Sequence, residues 1–199
     1  DMVDAALSIS QSGYVYGEKD NEKSLTEKIA PIVGTRAEAL AKFVLSIADK
    51  KVKKVTYQAM EALIHNLNTM NSRAGAQVTF SSLNYGTDTS HAGRLVMRQL
   101  LKATEAGLGN GETAIFPVQI FKVKEDVNYN PEDPNYDLFL LAMEVSAKRL
   151  FPNFSFLDAP FNAQYYEAGK PETEVAYMGC RTRVMGNVHD KEKEITYGR

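Results

Sequence analysis

Apolar residues recur along this chain at two periods, and the switches between them mark its elements. Leu40, Phe43, Val44 and Ile47 stand three and four residues apart, which is one face of a helix. Thr35 followed by Glu38 fits a capping box in front of it. A second helix is predicted from about Tyr57 to Met70, with Met60, Leu63, Ile64, Leu67 and Met70 inward. The basic "KKVKK" between the two reads as a solvated turn. Extended texture follows in "AGAQVTFSS", with Gly75 just ahead of the β-prone run, and "LNYGTDTS" is turn-rich. Ser90 caps a helix carrying Leu95, Val96, Leu100 and Ala103, which stops around "GLGNG". "TAIFPVQIFKVK" is the clearest strand, and its Pro117 argues for an edge position or a bulge. Asp133 as cap and Pro134 in the first turn open a helix with Leu138, Leu141, Ala142 and Val145 inward. "NFSFLD" and "EVAYMG" read as two more strands, and residues 1–23 as loop. Alternating helices and strands predict an α/β fold with buried strands.

Composition narrows the function classes more than the fold. With 44% hydrophobic and 24% charged residues the chain is ordinary for a globular protein, and 199 residues suffice for a sizeable core. A formal net charge of −2 gives no general basic field, so no nucleic acid is expected as a partner. No apolar run approaches the roughly 20 residues that span a bilayer, so no membrane is expected either. The N-terminal stretch carries acid where a secretory leader would carry base. The single cysteine, Cys180, cannot form an internal disulfide, and no Cys-x-x-Cys or His-x-x-His cluster suggests metal. The expected compartment is reducing and cytoplasmic.

Four stretches carry candidate chemistry. "HNLNTMNSRAGAQVTFSS", residues 65–82, gathers amides, hydroxyls and one Arg where a helix gives way to a strand, which suits an anion or nucleotide. The same groups suit a loop bonded to its own backbone, and His65 alone suits packing better than ligation. "SSLNYGTDTS", residues 81–90, can line a polar pocket or form Asx and Ser/Thr turns; it has neither Walker spacing nor G-x-G-x-x-G. "FPNFSFLDAPFN", residues 151–162, sets Asp158 and two asparagines among aromatics and prolines. "VAYMGCRTRV" holds Cys180, with Arg181 and Arg183 following. Those arginines lower a thiol pKa if close, but alternation in a strand can turn both away, and a lone cysteine is usually a small buried hydrophobe.

Taken together, "QAMEALIHNLNTMNSRAGAQVTFSSLNYGTDTS", "IFPVQIFKVKEDVNYNPEDPNYDLF", "SAKRLFPNFSFLDAPFN" and "TEVAYMGCRTRVMGN" resemble the anaerobic, glycyl-radical ribonucleoside-triphosphate reductases. The match runs from about Thr56 to Arg199, densely and in the family's order. The resemblance implies part of a ten-stranded α/β barrel, with residues 1–55 a mostly helical peripheral region and 56–199 a partial catalytic barrel. A finger loop through the barrel carries the family's active-site cysteine, here Cys180. A glycyl radical elsewhere in the enzyme oxidises it to a thiyl, which abstracts the ribose 3′ hydrogen while the 2′ hydroxyl leaves as water. Aerobic relatives have a carboxylate two residues after this cysteine, where this chain has Thr182. The Met-Gly-Cys-Arg pattern from Met178 to Arg181 goes with formate as reductant. The resemblance implies a substrate and formate pocket at Met178, Thr182, Asn153, Ser81, Ser82 and Asn84. It also implies an effector loop at Ser72, Arg73, Ala74, Gly75 and Gln77, where ATP or a deoxynucleoside triphosphate sets substrate choice. Implied partners are a ribonucleoside triphosphate, nucleotide effectors, a radical-SAM activating enzyme and a second subunit in a homodimer.

The chain departs from the pattern in ways that matter. It lacks the family's Arg-Val-x-Gly-Tyr radical motif, the four-cysteine zinc site beside it and a second active-site cysteine. The expectation is therefore a central fragment of a longer enzyme, with the radical glycine and zinc in the missing C-terminal part. A non-catalytic nucleotide-binding module that kept the effector loop is the alternative. A glycyl-radical enzyme acting on a non-nucleotide fits less well, since lyases of that superfamily lack the "SRAGAQVTFSS" loop.

Overall fold

The structure is a computed structural model and describes residues 16–71, 77–179, 182–186 and 195–198. Helix α1, Asp20–Val33, passes through a single 3₁₀ turn at Gly34–Arg36 into the 33-residue helix α2, Ala37–Thr69. Three expectations fail here, the first being the loop over residues 1–23, since residues 20–23 already belong to α1. "KKVKK" is helical, not a turn: its lysines lie on the exposed side of a continuous helix, where long charged stems are good helix formers. Thr35 and Glu38 form no capping box. The 3₁₀ turn already gives the Ala37 N–H an acceptor in the Gly34 carbonyl, and Glu38 instead accepts from Lys42. The inward face of this half of α2 is Ala37, Ala41, Val44 and Ala48, packed with Leu25 of α1, while Phe43 and Ile47 stay partly exposed. Small alanines let the two helices approach closely, so the largest apolar side chains are not the ones inside.

Three parallel strands follow, β1 Ser82–Tyr85, β2 Val118–Val123 and β3 Asn153–Phe156, in the order β1-β2-β3. Helices α3, His91–Ala106, and α4, Tyr136–Arg149, make the two crossovers. Register pairs Asn84 with Ile120 and Phe121 with Phe154. Leu83, Tyr85, Phe121, Val123 and Phe154 join Met97, Leu101, Leu138, Ala142 and Val145 in the packing between sheet and helices. Because side chains alternate across a strand, Ser82, Asn84, Ile120, Lys122, Asn153 and Ser155 share the other face. On the helix side a buried polar chain links the layers. The Tyr85 hydroxyl donates to Gln119 Oε1 (2.7 Å), and Gln119 Nε2 donates to Thr104 Oγ1 (2.8 Å). Burial pushes the Tyr85 hydroxyl far above the ordinary tyrosine range, so it stays protonated as a donor.

Pro117 does not make β2 an edge strand. The strand begins one residue later, at Val118, and is the central one, so the missing proline N–H falls outside the ladder. "LNYGTDTS" is not all turn: Leu83, Asn84 and Tyr85 are strand, and the turn starts at Gly86. Ser90 caps α3 as expected, its hydroxyl accepting from the Gly93 N–H at 3.0 Å, and the helix ends at Gly107. Val96 points outward instead of in. Asp133 does not cap α4, which starts at Tyr136; its carboxylate accepts from the Tyr129 and Asn130 N–H groups and closes the preceding turn. After a four-residue helix α5, Pro160–Ala163, and a 3₁₀ turn at Pro171–Thr173, the chain enters a second, antiparallel sheet. Its strands are β4 Ala176–Met178, β5 Thr182–Gly186 and β6 Ile195–Gly198. Among the described residues no helix is long and apolar enough to cross a membrane.

Candidate active site

The face of the parallel sheet turned away from the helices is polar, and residues 174–179 are fastened across it. The Lys122 ammonium meets the Glu174 carboxylate at 2.7 Å, with both side chains largely buried. The Asn84 carboxamide takes both backbone groups of Tyr177: Nδ2 donates to the Tyr177 carbonyl at 2.7 Å, and Oδ1 accepts the Tyr177 N–H at 2.8 Å. The Gly179 N–H donates to Ser82 Oγ at 3.2 Å. The segment therefore runs antiparallel to β1, with residue 177 over 84 and 179 over 82. Gly179 has φ +64, and a Cβ there would stand 3.1 Å from the Phe80 ring, which packs edge-on against Phe116. Only glycine fits that backbone without strain. From the far side, the Tyr177 hydroxyl donates to Asn162 Oδ1 at 3.3 Å, and Arg183 donates to the Phe161 carbonyl at 2.7 Å.

Of the predicted site residues, Ser82 and Asn84 share this face and hold the segment. Met178 is 51% exposed and pairs with Thr182, so β4 and β5 meet at the residues flanking Gly179 to Arg181 in the chain. Asn153 lies on the same face of the sheet, opposite Ile120, and is exposed. Ser81 falls by alternation on the side of Leu83 and Tyr85, and its buried hydroxyl finds no hydrogen-bond partner in the protein. Gln77 is exposed at the end of the predicted effector loop. Cys180, Ser72, Arg73, Ala74 and Gly75 lie outside the described residues. Sequence reasoning missed Lys122, Glu174, Tyr177 and Ser155. Lys122 had a signal, being the one charge inside the apolar run "VQIFKV". Ser155 is buried on the polar face and its hydroxyl, like that of Ser81, has no partner.

The C-terminal end of the sheet is braced by amides. Asn128 and Asn135 are both fully buried, and each donates to the Gly86 carbonyl at 3.0 Å. Asn68, at the end of α2, accepts from the Ile115 and Phe116 N–H groups at 2.9 and 3.0 Å. At Asn68 this is the loop-bonding reading of residues 65–82. An open cleft of about 320 Å³ on the helical side is lined by Lys53, Arg94, Arg98 and Lys102, but Arg94 and Arg98 both bond Asp137. Burial works to raise the Asp137 carboxyl, yet Arg98 and Arg94 outweigh it and hold it below the ordinary aspartate range. Among the described residues no group of three or more His, Cys, Asp or Glu side chains is arranged to hold a metal ion.

A mixed α/β chain with this polar face, and a lone cysteine next along the segment fastened to it, matches one family throughout most of its length. The model of the family described as anaerobic ribonucleoside-triphosphate reductase covers residues 33–199, and the chain belongs to that family. Proteins named anaerobic ribonucleoside-triphosphate reductase are similar to it in enterobacteria phage T4 (36% identity over 78% of this chain) and Escherichia coli K12 (36% over 76%). The protein of that name in Haemophilus influenzae is 33% identical over 74% of the chain. The matched regions span only 20% to 25% of the length of these curated relatives.

Proposed function

We propose that this chain is a central part of the catalytic barrel of a longer enzyme that reduces ribonucleoside triphosphates to deoxyribonucleoside triphosphates without oxygen, with Cys180 as the residue that abstracts hydrogen. In this reading residues 56–199 contribute strands to a ten-stranded α/β barrel whose inner face is the polar face of the β1-β2-β3 sheet. Residues 1–55 form a helical region at its periphery, and the segment ending at Gly179 is the stem of the finger loop. The observation that carries the reading is the fastening of residues 174–179 to that face through Lys122, Asn84 and Ser82. It leads the chain into Cys180 from a backbone fixed over the sheet.

A glycyl radical housed in another part of the enzyme and installed by a radical-SAM activating enzyme would supply the oxidising equivalent that leaves Cys180 as a thiyl. The Cys180 thiyl then takes the 3′ hydrogen of the ribose and becomes a thiol again. A hydrogen-atom abstractor needs no base; it needs placement and shelter from water, and a backbone fixed over the sheet up to Gly179 favours the first. The 2′ hydroxyl takes a proton and leaves as water. Formate supplies two electrons and departs as carbon dioxide, so one triphosphate, one formate and one proton give one deoxynucleotide, one carbon dioxide and one water. Met178, Thr182, Asn153 and Ser82 line the pocket for ribose and formate; Asn84 serves it through Tyr177, which engages both of its amide atoms, and Ser81 backs β1 from the other side. The unpartnered Ser155 hydroxyl on the polar face is a donor left over for a ligand or an ordered water. Ser72, Arg73, Ala74, Gly75 and Gln77 form the loop through which bound ATP or a deoxynucleoside triphosphate selects the base, in a homodimer of cytoplasmic location. Zinc belongs to the part of the enzyme beyond this chain.

The test is made on the longer enzyme with its radical installed, given a ribonucleoside triphosphate and carbon-labelled formate. Deoxynucleotide and labelled carbon dioxide are expected in equal amounts. Deoxynucleotide without labelled carbon dioxide contradicts formate as reductant, and no deoxynucleotide contradicts the reductase reading.

A further inference from the structure

We propose that Asn84 is a positioning residue for hydrogen abstraction: its carboxamide stands in for a neighbouring strand and sets the height and direction of the chain entering Cys180. The inference rests on the role of Cys180 given above. An antiparallel pair bonds alternate residues, so one residue in two along β4 turns its N–H and C=O away from β5. Tyr177 is such a residue, and both of its backbone groups go to Asn84, at 2.8 and 2.7 Å. A side chain that donates and accepts at once, on an arm of this length, reproduces what a strand backbone offers; among the common side chains only Asn and Gln have a carboxamide. Asn84 is itself fixed, because β1 is paired with β2 over all four of its residues and Asn84 lies in register with the buried Ile120. Ser82, two residues earlier on the same face, takes the Gly179 N–H at 3.2 Å, so the two residues grip the chain at 177 and 179. Position 180 is then one residue beyond a double attachment to a rigid strand. With both amide atoms engaged by Tyr177, Asn84 acts on the reaction through the chain it holds.

Misplacement of a reacting group by about 1 Å costs up to about a hundredfold in rate. The test compares Asn84→Ala and Asn84→Asp with the parent in the longer enzyme. The aspartate keeps the volume and the acceptor but sets an oxygen against the Tyr177 carbonyl. Rates are expressed per glycyl radical counted by electron paramagnetic resonance, so only folded, activated enzyme contributes. Both variants are expected to lose about 10- to 100-fold in kcat with KM for the triphosphate and for formate within about threefold. Both should also show a larger rate difference between ordinary and 3′-deuterated substrate, because hydrogen transfer becomes the slow step. A parental kcat per radical in the aspartate variant overturns the proposal. So does a loss confined to KM, or a loss of kcat with the isotope effect unchanged. Product formation by Cys180→Ser would refute the underlying cysteine role instead, and is scored separately in the same series.

Discussion

Gly86→Ala should be among the most damaging single-methyl changes in this chain. Gly86 ends β1 with φ +130, a conformation that residues with a Cβ rarely adopt, and holding one there costs about 1–3 kcal/mol. The added Cβ would stand 2.5 Å from the Lys122 carbonyl oxygen and 3.0 Å from its nitrogen, both backbone atoms of the central strand. Relief requires β1 and β2 to part near their C-terminal ends. The same movement disturbs the Gly86 carbonyl, which accepts from Asn128 and Asn135, and the 2.9 Å bond from Asn128 to the Lys122 carbonyl. Weakening the two bonds to the Gly86 carbonyl alone adds about 1–3 kcal/mol, for a total of about 2–6 kcal/mol. With a urea slope of about 2 kcal/mol per molar, the unfolding midpoint should drop by about 1–3 M. Gly109→Ala is the control, since a Cβ there meets nothing within 4 Å, and it should shift the midpoint by less than about 0.3 M. Urea titration of the two variants beside the parent, followed by circular dichroism, reads both. Equal midpoints for Gly86→Ala and Gly109→Ala would refute the strand-closure argument.

Phe121 is fully buried among the rings of Tyr85, Phe139 and Phe154, so Phe121→Ala should destabilise by about 3–5 kcal/mol. Val96→Ala on the exposed side of α3 should cost under about 1 kcal/mol, and equal losses in urea titration would contradict the assigned faces. Asp137 has a folded-state pKa held below its unfolded value of about 3.9, so its contribution is present above that pH and is lost as pH falls through the lower folded value. The urea midpoint of Asp137→Asn should therefore lie below the parent's at about pH 7, and the gap should close as pH falls through the folded-state value; a gap that stays constant throughout the acid titration contradicts the ion-pair account. In the longer enzyme, Arg73→Ala should change the ratio of bases reduced under different effectors more than it weakens effector binding, and unchanged ratios in a competition assay would count against the loop's role.

Much of the parallel sheet was legible because its signals are local. The branched and aromatic run around Phe121, the Ser90 cap and the Leu138, Ala142, Val145 stripe each report a structure completed within a few residues. The long helix α2 is interrupted in the sequence pattern by the lysine run at 50–54, and Ala37, Ala41 and Ala48 on its inward side scarcely register in the periodicity against Phe43 and Ile47. The site was half legible. Ser82 and Asn84 stood out as polar residues near a turn, but their partners Tyr177 and Gly179 lie more than ninety residues away in the chain. Glu174 meets Lys122 across 52 residues, and no local pattern pairs them. Asp133 suits a cap in sequence, yet two N–H groups of its own turn captured the carboxylate first.

The central claim is that Cys180 abstracts hydrogen, and Cys180→Ser in the longer enzyme tests it most directly. Serine nearly preserves size, so activation by the partner enzyme should proceed. Its O–H bond is far stronger than an S–H bond, so the radical should not pass onward. One preparation gives both readings: electron paramagnetic resonance counts the glycyl radical, and product analysis counts deoxynucleotide. A full radical signal with no deoxynucleotide is the predicted result. A full signal with near-parental product would contradict it and leave Cys180 a packing residue, whose exchange for serine costs only stability, about 1–3 kcal/mol.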